Sequence, residues 1–283
     1  MEQRSRVNVE DLYIRQDTLT DPGAQAGAYD DLPNTVAALR EIVAELIVHV
    51  AWADRYGIPP DAPMVRETQA VAARLKLIQA SCPGSLTAKR PPSRRTFGTC
   101  RDYALLLCSM LRHRSIAARV RCGFATYFAA ERYEDHWICE YWVADEERWA
   151  QVDGQLDRLL IDQLRVTFDC ADLPRGSFLS AARAWRMVRS HDAAADRFGH
   201  VSATGLWFLR VNLIRDVLSL TNRQMSAWDS WRDATETSKV LDNGTLAELD
   251  RLADAVTAFE DGYGPFAPVS EATSRSTMPP WRS

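Results

Sequence analysis

The sequence predicts an α+β fold in which one helix packs on an antiparallel sheet, with additional helices before and after this core. Two observations predict it. An apolar segment with helical spacing covers residues 100–113. Three segments rich in β-forming residues then follow in direct succession, at residues 116–124, 136–143 and 148–152. A helix followed by a run of strands is typical of α+β proteins rather than of alternating α/β proteins.

The composition is that of an ordinary globular protein and excludes several functional classes. The 283 residues suffice for one sizeable core or for a core with an appended lobe. Hydrophobic residues make up 46% and charged residues 25%, and the net charge of -4 argues against a nucleic-acid partner. No stretch approaches the roughly 18 apolar residues of a membrane helix, so we expect no membrane partner. The polar residues 1–6 do not resemble a secretory signal, and we therefore expect a cytoplasmic protein.

The hydrophobic periodicity and the positions of glycine and proline divide the chain into four predicted regions. Residues 1–33 have little periodicity and predict an extended N-terminal arm. Asn34 and Thr35 offer a cap to a helix that should end near Gly57, and a second helix is predicted over residues 64–80. We assign the regions as an arm at 1–33, a core at 34–160, a mainly helical lobe or lid at 161–261 and a loosely ordered tail at 262–283.

The helical lobe contains the clearest periodic segments after the core. They cover residues 177–190, 206–220 and 246–259. Trp228 and Trp231 add large apolar side chains between the last two segments, and most such aromatic residues are expected to pack inside the protein.

The six cysteines do not predict a metal site. They are Cys82, Cys100, Cys108, Cys122, Cys139 and Cys170. None of them forms a C-x-x-C pair, so we expect neither structural zinc nor another metal, and no motif indicates a cofactor. In a reducing compartment most of them should be buried free thiols.

Cys100 differs from the other cysteines because of its position. A turn at Gly98 delivers it to the first turn of the predicted helix. Unpaired backbone N–H groups and the helix dipole favour a thiolate at such a position. Cys100 is therefore the candidate nucleophile.

His136 and Asp153 are the candidate base and orienting carboxylate. Cys100, His136 and Asp153 occur in this order, separated by 36 and 17 residues. His136 begins one predicted strand and Asp153 follows the next, so an antiparallel turn between these strands brings both residues to one sheet edge. A cysteine nucleophile needs an imidazole to accept its proton, and the imidazole needs a carboxylate to fix its tautomer.

Sequence boxes around these residues resemble the transglutaminase-like superfamily, which has a papain-like fold. The family pattern matches a nucleophile box, a turn before the next strand, a histidine box and an aspartate box. These are residues 98–104 (GTCRDYA), 115–119 (SIAAR), 136–141 (HWICEY) and 149–153 (WAQVD). Three catalytic boxes in the family's order are far more specific than any one of them alone.

The resemblance implies a role for each member of the trio. Cys100 would be the nucleophile, His136 the general base and acid, and Asp153 the orienting residue. The sequence departs from the family pattern at Ser115 and Ala117, where glycine and proline are usual. Thr99 stands where animal transglutaminases have glutamine, which implies a bacterial-type relative whose substrate need not be a protein glutamine.

The implied chemistry is covalent acyl transfer through a Cys100 thioester, from an amide or thioester donor to an amine. The donor could be a small molecule, a peptide or a carrier-bound acyl group. A peptidase or amidase would use the same trio with water as the acceptor. An arylamine N-acetyltransferase-like enzyme shares the order of the trio, but the Arg-Gly-Gly run of that family is missing before Cys100. A non-catalytic binding module on the same scaffold would carry an unreactive Cys100.

Two groups of neighbouring residues are candidates for the surroundings of the nucleophile. Thr99, Tyr103 and Trp137 are candidate cleft-lining residues. Lys89, Arg90, Arg94 and Arg95 form a basic segment before the nucleophile. This segment is either a solvated loop or a cationic surface that attracts a phosphate or an acidic carrier.

Overall fold

The structure, a computed structural model, describes residues 9–59, 61–62, 70–223 and 240–272 and has the predicted α+β architecture. The helices in these residues are α1 (Val9–Ile14), α2 (Val36–Leu46), α3 (Val71–Ser81), α4 (Cys100–His113), α5 (Arg158–Leu164), α6 (Ala181–Arg189), α7 (Leu206–Leu220), α8 (Asn243–Glu260) and α9 (Ala267–Ala272). The strands are β1 (Ile47–His49), β2 (Thr96–Gly98), β3 (Ala118–Ala125), β4 (Tyr133–Val143), β5 (Arg148–Val152), β6 (Phe178–Ser180), β7 (Phe198–His200) and β8 (Ala203–Thr204).

The chain divides into two compact units, each assembled from separate segments. Unit 1 comprises Met1–Arg119, Ile138–Leu159 and Asp169–Asp172. Unit 2 comprises Val120–Trp137, Leu160–Phe168 and Leu173–Ser283. The chain therefore passes from one unit to the other within β3 and again within β4.

In unit 1, helix α4 packs on the hairpin formed by β4 and β5. Cys139 of β4 pairs with Val152 of the antiparallel β5, and its thiol makes a hydrogen bond with the Cys108 thiol of α4. The side chains of α4 are buried from Arg101 to Arg112. The helix is therefore interior along most of its length, and the predicted packing of this helix on a sheet is confirmed.

The first predicted helix is shorter than its sequence pattern suggests. Thr35 caps α2 as expected, its hydroxyl accepting a hydrogen bond from the Ala38 N–H at 3.4 Å, but the helix ends at Leu46. The chain continues as β1, which pairs in parallel with β2, and then as a 3-10 turn. The β-branched pair Ile47–Val48 fits a strand as well as a helix, and pairing with β2 decides between the two.

The N-terminal arm is not extended over its described part. It contains α1 and a 3-10 turn, and Tyr13 and Tyr29 are fully buried. The Tyr29 hydroxyl lies 2.9 Å from the Ser109 hydroxyl of α4, and Arg112 of α4 donates to Asp17 at 2.8 Å. These long-range contacts make the arm part of unit 1 and correct the prediction.

Unit 2 contains a mixed sheet with the strand order β6-β3-β4-β7-β8. β3 and β6 are antiparallel, whereas β7 runs parallel to β4 with Tyr133 opposite Phe198. Helices α6, α7 and α8 supply the rest of the core, in which Phe124 of β3 is buried together with Trp185 and Phe208. The short strands β6, β7 and β8 were not predicted, because two or three residues are too few to show an alternating pattern.

The predicted region boundaries do not coincide with these units. The region assigned as a helical lobe supplies β6, β7 and β8 to the same sheet as β3 and β4. Within the assigned tail, α9 is ordered and Val269 is fully buried. Trp228, Trp231 and the start of the second predicted helix lie outside the described residues.

None of the helices in the described part of the chain combines the length and the apolar character that crossing a membrane requires.

Candidate active site

Cys100 is the first residue of α4, as the sequence predicts. Thr99 caps the helix, and its backbone N–H donates to Asp102 Oδ2 at 2.8 Å in a capping box. Asp102 lies in the first helical turn, where a carboxylate also interacts favourably with the helix dipole. Cys100 itself is half-buried, so its thiol lies at the positive end of a well-capped helix and retains some exposure.

A buried ion pair fixes the turn that precedes the nucleophile. Arg74 of α3 contacts Asp102 Oδ1 at 2.6 Å, and both side chains are almost completely buried. The Arg74 guanidinium also donates to the carbonyl oxygen of Phe97. A Cβ atom at Gly98 would lie 2.9 Å from Asp102 Oδ2 and 3.0 Å from Arg74 Nη2. The glycine of the nucleophile box is therefore required because the ion pair occupies the space of a side chain.

Cys82, Cys139 and Cys170 lie in positions that do not favour a reactive thiolate. All six cysteines belong to the described part of the chain, and none of them is in a disulfide. Burial raises the pKa of Cys170 to about 11 and raises the pKa of Cys139 well above its usual range. Cys82 is half-buried like Cys100, but it caps the C-terminal end of α3, where the helix dipole disfavours an anion.

Asp153 lies at the end of the hairpin. It directly follows Val152, the last residue of β5, which is opposite Cys139 of β4. Its side chain is fully buried, and Oδ1 accepts a hydrogen bond from the Gln155 N–H at 2.7 Å. Its own N–H donates to the Cys170 carbonyl oxygen at 3.0 Å.

The residue after Asp153 lies against the first turns of α4. A Cβ atom built on Gly154 would be 3.5 Å from the Tyr103 carbonyl oxygen and 3.4 Å from Leu107. Within unit 1, the end of β5 and the N-terminal half of α4 are therefore neighbours.

His136 lies in β4 among aromatic rings. Its exposed fraction is 1%. The imidazole meets the ring of Phe128 at 4.8 Å and that of Tyr127 at 6.1 Å, both edge to face, and Phe168 packs on Tyr127 at 5.4 Å. Two aromatic side chains of the loop that follows β3 therefore pack against the imidazole.

The three candidate residues are distributed over the two units. Cys100 and Asp153 belong to unit 1, and His136 belongs to unit 2. Their convergence in one site is therefore part of the functional proposal below.

The candidate cleft-lining residues expose almost no surface. Tyr103 and Trp137 are 1% exposed and Thr99 is 2% exposed. Thr99 acts as the cap of α4, and the two aromatic side chains pack inside the protein. Side chains this deeply buried have little surface for a ligand, and their evident roles are structural.

Of the four cations in the basic segment before Cys100, Arg90 and Arg95 are used inside the protein, whereas Lys89 and Arg94 are exposed. The Arg90 guanidinium is buried and donates to four carbonyl oxygens of its own loop, those of Cys82, Ser85, Leu86 and Ala88, at 2.9–3.3 Å. Arg95 pairs with Asp157 at 2.7 Å. Neither reading of the sequence anticipated that these two arginines hold the loop together.

Polar side chains form a network beside His136 that was not predicted from the sequence. Asp135 accepts a hydrogen bond from Asn212 of α7 at 2.8 Å, and Glu134 lies 3.0 Å from His200 of β7. The sequence did contain a sign of it, since Asn212, Arg215 and Asp216 are polar residues within a mainly apolar helix. Their partners are distant in the sequence, so only the fold could identify them. No group of three or more potential metal ligands occurs among the described residues.

Comparison with known proteins identifies one family. The model of the transglutaminase-like superfamily matches residues 78–154, a segment that contains Cys100, His136 and Asp153. No curated protein matches the chain. The solved structure of a proposed cysteine protease from Cytophaga hutchinsonii aligns at 15% identity and a TM-score of 0.37, covering 61% of this chain and 46% of that one. The family match supports a cysteine-based enzyme in general.

Proposed function

Residues 78–154 belong to the transglutaminase-like superfamily, and on this premise we propose that the chain is an acyltransferase in which Cys100, His136 and Asp153 form the catalytic trio. The reaction joins an acyl group from an amide or thioester donor to an amine acceptor. The observation that carries the proposal is the position of Cys100, half-buried at the capped N-terminus of α4.

The first half of the reaction forms a thioester. The Cys100 thiolate attacks the carbonyl carbon of the donor, and the carbonyl oxygen takes up the displaced electron pair. The backbone N–H of Cys100, at the beginning of a helix, is the candidate donor to this oxyanion. Collapse of the intermediate expels the amine or thiol, which receives a proton from the His136 imidazolium.

The second half transfers the acyl group. The acceptor amine attacks the Cys100 thioester while His136 accepts a proton from the nitrogen. Collapse of the second tetrahedral intermediate forms the amide and releases the Cys100 thiolate. Asp153 orients the imidazole and stabilises its charged form.

The surroundings of His136 favour an amine over water as the acceptor. The imidazole is 1% exposed, and Phe128 and Tyr127 contact it edge to face. A base with so little exposed surface has little access to bulk water, which protects a thioester from hydrolysis. A peptidase would use the same imidazole to activate a water molecule beside the thioester.

Selective alkylation tests the nucleophile. Iodoacetamide at about pH 6 should modify Cys100 at least about tenfold faster than Cys82, since both thiols are half-buried but lie at opposite ends of helices. Peptide mapping by mass spectrometry gives the two rates, and Cys100→Ser and Cys82→Ser identify the signals. Equal rates at the two cysteines would contradict an activated Cys100.

Trapping of the acyl-enzyme tests the reaction. Incubation with peptide amides and with acyl thioesters, followed by intact-mass measurement, should reveal an added acyl mass that is absent in Cys100→Ser and present in Cys82→Ser. Loss of this mass on addition of primary amines, with formation of the corresponding amide, identifies transfer.

The partition between amine and water tests the role of the aromatic rings. Phe128→Ala should raise the hydrolysed share of the product several-fold at a fixed amine concentration, because it opens the surroundings of the imidazole to water. Chromatographic quantification of the acid and the amide gives the ratio. If the native protein yields acid alone at saturating amine, the chain is a hydrolase using the same trio.

A further inference from the structure

Helix α7 of unit 2 carries a stripe of buried polar side chains. Asn212, Arg215, Asp216 and Ser219 are each no more than 1% exposed. Their spacing places them on one face of the helix. Burial of such groups costs free energy unless partners satisfy them, so their partners indicate what the stripe does.

One end of the stripe binds the residue that precedes His136. Asn212 Nδ2 donates to Asp135 Oδ1 at 2.8 Å, and Asn212 Oδ1 accepts from Arg215 Nη1 at 3.0 Å. Arg215 Nη1 also lies 3.7 Å from Asp135 Oδ2. The amide has only one orientation that fits, because a carboxylate can only accept and a guanidinium can only donate. Asn212 therefore bridges a buried cation and a carboxylate.

The other end of the stripe binds β3. Asp216 accepts from Arg121 Nε at 2.9 Å and from Arg121 Nη2 at 2.7 Å. The Asp216 Oδ1 atom also accepts from the backbone N–H of Cys122 at 3.0 Å. One helix thus holds two strands of the unit 2 sheet by directional polar contacts.

Successive residues of a strand point to opposite faces of the sheet. Asp135 faces α7, so the neighbouring His136 projects from the other face, where Phe128 and Tyr127 contact it. Fixing the Asp135 carboxylate fixes the backbone from which the imidazole projects. We propose that Asn212 and Arg215 are positioning residues that set the location and direction of His136 for proton transfer. This inference deepens the proposed function and rests on His136 as the base.

The polar character of the contact supports positioning rather than simple packing. An apolar pair of similar volume would hold a helix against a strand at least as strongly, since buried ionic groups lose their hydration. Hydrogen bonds add direction, and a general base must lie within about 0.5 Å of its productive position to work well. The stripe therefore provides an accuracy that apolar packing does not.

A role exchange provides the sharpest test. Asn212→Asp places a carboxylate against Asp135 and removes the donor, whereas the double variant Asp135→Asn with Asn212→Asp restores both bonds with the groups interchanged. Arg215 still has a carboxylate partner in the double variant. Val217→Ala, which trims a buried apolar side chain of the same helix, is the matched control for loss of stability.

Two readouts report on positioning. The first is the rate of Cys100 alkylation at a temperature at which urea unfolding shows the variant to be folded. The second is the NMR shift of the His136 ring protons, which senses the Phe128 ring at 4.8 Å. Asn212→Asp should lower the rate about tenfold or more and move the His136 signals. The double variant should restore both, and Val217→Ala should change neither.

The inference is overturned if Asn212→Asp lowers stability but leaves the His136 signals and the Cys100 rate at their native values. It is also overturned if Val217→Ala reproduces both effects. Asp135→Ala removes the carboxylate at the more exposed end of the network and replaces Asn212→Asp if that variant does not fold. Should the native Cys100 prove unreactive, the proposed function fails, but the His136 signals still test the positioning.

Discussion

Gly98 shows how one residue of the nucleophile box serves the structure around it. The buried Arg74–Asp102 ion pair occupies the space that a Cβ atom at this position would need. Asp102 also accepts from the N–H of Thr99, so it caps the helix that begins at Cys100 and joins it to α3.

We expect Gly98→Ala to destabilise the protein by about 1–3 kcal/mol, because the added methyl group must displace the ion pair in a closely packed site. The substitution should also slow alkylation of Cys100, since the cap of α4 moves with Asp102. Urea unfolding and the alkylation rate measure the two effects.

Gly27→Ala is the matched control, because the nearest atom to a Cβ there is Asp30 Oδ2 at 3.9 Å. It should leave both quantities close to their native values. A native-like Gly98→Ala would show that the Arg74–Asp102 pair does not constrain the nucleophile turn.

The residue scale is also where the sequence was most informative. The N-terminal position of Cys100 in a helix follows from local signals, namely a glycine turn, a capping threonine and an apolar segment. The role of Arg74 as the buried partner of Asp102 could not be predicted in the same way. Its partner lies 28 residues away in the sequence, and no local pattern distinguishes a buried arginine from a solvated one.

A pH-dependent ion pair between two side chains, His200 and Glu134, joins strand β7 to β4. His200 Nδ1 lies 3.0 Å from Glu134 Oε1, and the two residues belong to neighbouring parallel strands. The hydrogen bond with Glu134 raises the pKa of His200 above its usual 6.5, and the nearby charge of Asp135 acts in the same direction.

A raised pKa in the folded state means that the contact stabilises the protein fully below pH 6.5. This contribution is lost as the pH rises through the raised pKa. We therefore expect His200→Gln to lower the free energy of unfolding more at about pH 5.5 than at about pH 9. Urea unfolding of both proteins at the two values measures the difference.

Glu134→Gln should remove most of this pH dependence, because His200 then lacks its anionic partner. The assigned contact would be contradicted if the native protein and His200→Gln differed in free energy of unfolding by the same amount at both pH values.

Three predicted elements agree with the structure in their bounds, whereas the predicted helix at 177–190 begins only at Ala181 because residues 178–180 form β6. Residues 100–113, 148–152 and 206–220 form the predicted elements with the predicted bounds. The helix that begins at Val36 ends before its predicted end near Gly57, because residues 47–49 pair with β2 as a strand. Long periodic segments carry their own signal, whereas short segments adopt the conformation that a distant partner stabilises.

At the scale of the whole molecule, the two units are interleaved along the chain. Phe124 belongs to the segment 116–124, yet it is buried in unit 2 together with Trp185, Phe198 and Phe208. Arg121 of the same strand is buried and pairs with Asp216 and Glu260. The assigned core at 34–160 therefore depends on residues that follow it.

We expect the fragment 1–160 not to fold independently. It retains β3 but lacks the partners of Phe124 and Arg121, so it would expose apolar surface and leave a buried cation unpaired. Gel filtration and thermal unfolding monitored by circular dichroism should show aggregation or a non-cooperative transition. The full chain provides the control, and a monomeric fragment with a cooperative transition would contradict the interleaved arrangement.

The sequence by itself determined the fold class, the position of Cys100 at the start of a helix and the order of the three boxes that resemble the family pattern, because helix caps, apolar periodicity and box spacing are local. Only the tertiary structure revealed the Arg74–Asp102 ion pair, the hydrogen bonds of the buried Arg90 to its own loop, and the stripe of buried polar side chains on α7. These features join residues far apart in the chain, and their side chains have no sequence signal until folding brings their partners within bonding distance. The candidate nucleophile could thus be proposed from the sequence, whereas the contacts that hold its helix and the strand of His136 became visible only in the fold.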